Sequence, residues 1–129
     1  MQHFHTLCRQ FGQILNGEAK VEHGVCSVSI KRNINVSVQG RPSRGIAMKE
    51  VMFESLDQHG IALNMAEIAI LPEEIPLFTK RLADQGLIIS ALHNHWIFTR
   101  PNLLYIHFQS VEPPLIFARK TAAALSVLR

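Results

Sequence analysis

The chain has 129 residues and a mass of 14.5 kDa, the length of one domain that buries roughly two-thirds of its unfolded surface. Apolar residues at 47% and charged residues at 18%, with 7 Gly and 6 Pro, exclude a disordered chain, a collagen-like repeat and a coiled coil. Thirteen Lys and Arg against ten Asp and Glu leave a net charge of +3, too small a surplus to predict a nucleic-acid surface.

Phe4, Leu7, Cys8, Phe11, Ile14 and Leu15 fall on one helical stripe, which Asn16-Gly17 stops, so the spacing predicts a helix over about 3–15. Alternation over 25–30 and again over 34–38, with Lys31-Arg32-Asn33 between, predicts a β-hairpin. Gly40-Arg41-Pro42-Ser43-Arg44-Gly45 predicts an exposed loop, and Lys31, Arg32, Arg41, Arg44 and Lys49 are expected to be solvated cations. Strands follow at 51–56 and 61–71 around the turn Asp57-Gln58-His59-Gly60. Pro72-Glu73-Glu74 opens a second helix, with Ile75, Phe78 and Leu82 inward and Gly86 at its end. Strands at 87–96 and 103–109 flank Arg100-Pro101-Asn102, and Glu112-Pro113-Pro114 starts a last helix with Leu115, Ala118, Ala122, Leu125 and Leu128 inward. The order α-ββββ-α-ββ-α predicts an α+β fold: one mostly antiparallel sheet with helices packed on one face, a single domain over 1–129.

Cys8 and Cys26 are too few for a disulfide scaffold and lie in no zinc-ribbon spacing, so both are expected to be reduced core thiols. The N-terminus has no export-signal pattern and no apolar run approaches the length of a spanning helix, which predicts a cytoplasmic protein without a membrane role.

Three of the seven histidines sit in the most strand-like part of the chain. His93 and His95 are two apart, so on a strand they share a face, with Leu92, Asn94 and Trp96 opposite. On the next strand Leu104, Ile106 and Phe108 form the apolar set and Tyr105, His107 and Gln109 the polar one. An odd hairpin loop brings His107 to the face of His93 and pairs the two, whereas an even loop turns it away. Glu67, alternating with Ile68 and Ile70, falls on the polar face as well. Three imidazoles and a carboxylate suit zinc first, and also iron, manganese or nickel. The same groups equally suit hydrogen bonding within the sheet, anion binding when protonated, or metal-free acid–base work. His93-Asn94-His95 is not an HNH nuclease signature, because the residues are consecutive on one strand and Asn94 points away from both histidines.

The stretch Ala62 to Leu71, then Ala91-Leu92-His93-Asn94-His95 and Tyr105-Ile106-His107-Phe108, resembles the LppY/LpqO-like family of bacterial domains. The opening Phe11-Gly12 to Gly17 segment matches its first helix and turn. The resemblance covers nearly the whole chain and implies His93, His95 and His107 as functional residues, with Glu67 where an acidic residue is usual; it implies no reaction.

Two functions follow as expectations. In the first, His93, His95 and His107 hold a divalent metal and Glu67 is ligand or general base, in a hydrolase or lyase acting on a small substrate. In the second, the face is a non-catalytic binding or sensing module, with Asn94, Tyr105 and Arg100 contributing to a small, anionic ligand. A homo-oligomer formed through the sheet face or edge is a third expectation.

Overall fold

A computed structural model describes residues 2–128. The stripe of aromatic and aliphatic residues winds α1 over Gln2–Leu15, and Phe4, Cys8, Phe11 and Leu15 are buried along it. Asn16, at a φ of 60°, turns the chain, and the Gly17 N–H donates to the Gly12 carbonyl at 2.9 Å. Helix and following strand are therefore in close contact: a Cβ on Gly12 would stand 2.8 Å from the Gly17 carbonyl oxygen and 2.9 Å from Ala19 Cβ. Gly12→Ala should cost about 1–3 kcal/mol in urea unfolding, although alanine has the higher helix propensity. A stabilised variant would show that the close approach does not limit the packing.

The strands are β1 (Ala19–Glu22), β2 (Val25–Lys31), β3 (Val36–Val38), β4 (Arg41–Ser43), β5 (Met48–Glu54) and β6 (Ala62–Ile70). A 3₁₀ turn over Pro72–Glu74 leads into α2 (Ile75–Asp84). Then come β7 (Ile88–His93), β8 (Thr99–Arg100), β9 (Leu104–Glu112) and α3 (Pro114–Leu125). Six strands form an antiparallel sheet in the order β1-β2-β5-β6-β9-β7, and a small second sheet has the order β4-β3-β8. The expected α+β class, mostly antiparallel sheet and succession of helices and strand runs hold, while β1, β4 and β8 are strands beyond the expected six and the small sheet is an addition to the single sheet expected.

Alternation divides the large sheet into two faces. Cys26, Val28, Val51, Phe53, Ala66, Ile68, Ile106 and Phe108 form one core with residues of all three helices. The small sheet and its flanking loops lie over one end of the other face, where Val36, Ala47, Ala69, Leu103 and Tyr105 make a second, smaller core. The rest of that outer face is open, and it carries the polar half of the alternation.

Five expectations need correction. The predicted hairpin does not form: β2 pairs with β1 and β5, whereas β3 pairs with β4 and β8. The chain leaves the large sheet at Arg32, and part of the predicted loop is β4. Arg32 is no solvated cation; it is 1% exposed and makes a bidentate pair with Glu74 at 2.7 Å on each arm, donating also to the Ala69 carbonyl at 2.9 Å. Cys8 and Cys26 are not free thiols but a disulfide, because α1 crosses directly above β2 and the inward faces that hold them coincide. On α3 the buried residues are Pro114, Phe117, Ala118, Thr121, Ala124 and Leu125, so Ala118 and Leu125 are placed as expected while Leu115, Ala122 and Leu128 pack only at the margin. The expected stripe is rotated because α3 wedges between the sheet and both other helices.

Candidate functional site

The outer face is laid out by strand register. Glu50 on β5 stands opposite Glu67 on β6, Glu67 opposite His107 on β9, and His107 opposite Ala91 on β7. Two residues along, Ala69 faces Tyr105, which faces His93. Glu67, His107, Tyr105 and His93 thus share a face, as the alternation predicts. The pairing partner differs: His93 lies opposite Tyr105 rather than His107, a slip of two residues that preserves the face.

The strand β7 ends at His93, so His95 is held by the loop that follows and not by the sheet. Its ring is 5.9 Å from that of His93, which is 5.2 Å from that of His107. Leaving the strand also brings Trp96 to the histidine side, 4.8 Å from the His95 ring, in place of the opposite face expected for it. Asn94 is tied to Asn102 by a 3.1 Å side-chain hydrogen bond, which pins the base of this loop. Arg100 is exposed on β8, paired in register with Ser37, and lines no part of the cleft. Leu92 faces the helix side opposite Ile106, yet is largely exposed because β7 is the edge strand.

A cleft of about 190 Å³ opens between the outer face and the loop, lined by Gly45, Ile46, Met48, Glu50, Glu67, His95, Trp96 and Tyr105. Larger hollows of about 530 and 560 Å³ lie between α1 and β1 and beside Arg32, without the imidazole cluster. The Tyr105 hydroxyl donates to the Ile46 carbonyl at 2.6 Å. Burial raises the pKa of this phenol, a hydrogen bond with Trp96 opposes the rise, and the Glu67 carboxylate adds to it. No Lys or Arg lines the cleft among the described residues, which leaves two carboxylates to set its field.

His107 Nε2 is 3.6 Å from Glu67 Oε2. That is beyond hydrogen-bond length, and the nitrogen is buried without a hydrogen-bond partner. Among the described residues no three His, Cys, Asp or Glu side chains converge to hold a metal ion as they stand. Glu50 and Met48 line the cleft without being singled out by the sequence, which places Trp96 on the opposite face. Glu50 was legible in principle, since it alternates with buried Val51 and Phe53, but its neighbour across the sheet is set by register alone.

These features define an α+β domain whose antiparallel sheet presents a histidine–carboxylate cleft on its open face. The chain belongs to the family described as Domain of Unknown Function (DUF1259), which matches residues 9–127. No curated protein and no solved structure matches it. No helix among the described residues is long and apolar enough to cross a membrane.

Proposed function

We propose that the outer face beside the cleft is a divalent-cation site, zinc first, seeded by His107 and Glu67 and completed by His93 and His95, of which Glu67 and His95 also line the cleft. The carrying observation is the 3.6 Å separation of His107 Nε2 and Glu67 Oε2, together with the buried, unpartnered state of that nitrogen. Two donors that share a tetrahedral ion at 2.0–2.1 Å are about 3.3 Å apart, so the gap fits a shared cation better than a hydrogen bond. Imidazole rings on one such ion have centroids about 5 Å apart, which supports His93 as the next donor at 5.2 Å from His107. His95, its ring 5.9 Å from that of His93, is the outermost donor of the set.

What such an ion supplies is a bound water of lowered pKa or a polarised carbonyl, the chemistry of a hydrolase or lyase. The chain's own contributions are distinct. Glu67 and His107 hold the ion, Glu50 across from Glu67 is placed to accept a proton, and Tyr105 and Trp96 form the apolar part of the wall. A cleft of about 190 Å³ suits a substrate of roughly ten non-hydrogen atoms or fewer. The alternative of an anion-sensing module draws less support, since its cation, Arg100, stands apart from the cleft and two carboxylates, Glu50 and Glu67, line it. The finer kinship with LppY/LpqO-like domains belongs to this proposal too, resting on Leu92-His93-Asn94-His95 and His107-Phe108. The Cys8–Cys26 disulfide supports an oxidising compartment over the cytoplasm.

The test is element-resolved mass spectrometry of untagged protein after zinc loading and buffer exchange. About one zinc per chain is expected, with His107→Ala and Glu67→Ala each weakening it at least ~100-fold and Asn94→Ala holding it much better. Equal retention in all variants, or none in the wild type, overturns the proposal.

A further inference from the structure

Nine large hydrophobic side chains are exposed among the described residues, and six of them, Ile88, Ile89, Leu92, Trp96, Ile97 and Phe98, fall in one run of eleven positions. That run is the edge strand β7 with the loop after it. Ile88 is 59% exposed, Ile97 68% and Phe98 70%. Edge strands normally carry charge or proline to prevent pairing with another chain. The opposite edge does so, with Lys20 and Glu22 on β1, whereas no Lys, Arg, Asp, Glu or Pro occurs from Leu87 to Phe98.

We infer that β7 pairs antiparallel with β7 of a second copy of this chain, about a two-fold axis between Ser90 and Ala91, joining two six-stranded sheets. Side-chain parity selects the register. A register shift between Ile89 and Ala91 places Ser90 in a bulge. In consequence Ile89 and Leu92, opposite buried Phe108 and Ile106, both face the helix side, and Ile88 and His93, opposite Gln109 and Tyr105, both face outward. Across this axis Ile89 meets Leu92 and Ile88 meets His93, each pair on a common face. A shift of one residue either way sets inward side chains against outward ones. A strand that is self-complementary in this way is what an isologous interface requires.

Of the six side chains only Ile88, Ile89 and Leu92 lie on the paired strand, so reaching the ~800 Å² that each partner of a standard interface buries requires strand backbone and the loop side chains Ile97 and Phe98 as well. Because His93 ends the paired strand, the interface would also steady the strand that leads into the cleft.

Sedimentation equilibrium of the whole chain should give a dimer of twice 14.5 kDa, with a dissociation constant in the micromolar range or tighter. Ile89→Lys/Leu92→Lys, with the fold checked by an unchanged helical signal, should weaken it at least ~100-fold and make melting independent of protein concentration. Ile89→Cys/Leu92→Cys should form a covalent dimer on mild oxidation, since these two residues are too far apart along one strand to bridge within a chain. A monomer at millimolar concentration overturns the inference. So does a dimer indifferent to the lysine pair, or a monomer that instead binds neutral phosphatidylcholine vesicles through Trp96 to Phe98.

Discussion

Arg32→Met should lower the stability of the fold by about 3–5 kcal/mol, the cost of removing one partner from a buried ion pair. Arg32 is 1% exposed and Glu74 holds it at two points, while a third bond reaches the Ala69 carbonyl at the end of β6. Glu74 Oε1 also accepts the Leu71 N–H at 2.9 Å, so the pair joins the exit of β2, the end of β6 and the entry to α2. Without the guanidinium, a carboxylate side chain only 12% exposed loses its bidentate partner with little water to replace it. Arg32→Met/Glu74→Met should recover most of the loss, because the desolvation of both charges disappears together. If the double variant is as unstable as the single one in denaturant unfolding, the backbone bonds and not the ion pair hold this junction. Lys49 adds a pH signature. Its pKa is lowered below 10.5, by burial first and then by the Arg32 charge, with Glu74 opposing. Between the folded and unfolded pKa values the unfolded chain binds more protons, so this group makes stability rise with pH up to about 10.5. Arg32→Met removes one of the causes and should flatten that slope.

The elements legible in the sequence are those specified by local periodicity. The stripe Phe4 to Leu15 gives α1, alternation through Ala62 to Ile70 gives β6, and Pro72 with Gly86 brackets α2. What the sequence hides is set by contacts distant along the chain. Lys31-Arg32-Asn33 has the composition of a hairpin turn, yet Arg32 is drawn inward by a carboxylate 42 residues away. The strands β1 and β4, at four and three residues, are too short for alternation to identify them. At the candidate site the face of Glu67, His93 and His107 was legible because alternation is local and insensitive to a slip of two. The position of His95 was not, since nothing in Asn94-His95-Trp96 marks the end of β7. Glu50 enters through the register of β5 on β6, which no local pattern encodes.

Reduction or removal of the Cys8–Cys26 bridge should cost about 3 kcal/mol, the loop-closure entropy expected for cysteines 18 residues apart. Both residues are at most 2% exposed and sit where α1 crosses the sheet. Titration with a thiol reagent should therefore find no free thiol in the native chain and none after unfolding without reductant. Two thiols appearing on unfolding would show the cysteines to be reduced. Dithiothreitol should act slowly on the native fold and rapidly once denaturant opens it, because the sulfurs are shielded from solvent. Cys8→Ala/Cys26→Ala should still fold, since Phe4 and Phe11 pack on Phe53 with ring centroids 5.1 and 4.9 Å apart and anchor α1 by themselves. Its melting temperature should match that of the reduced wild type, not the oxidised one. The bridge then acts mainly by restricting the unfolded chain between α1 and β2, while the aromatic contacts determine where the helix docks.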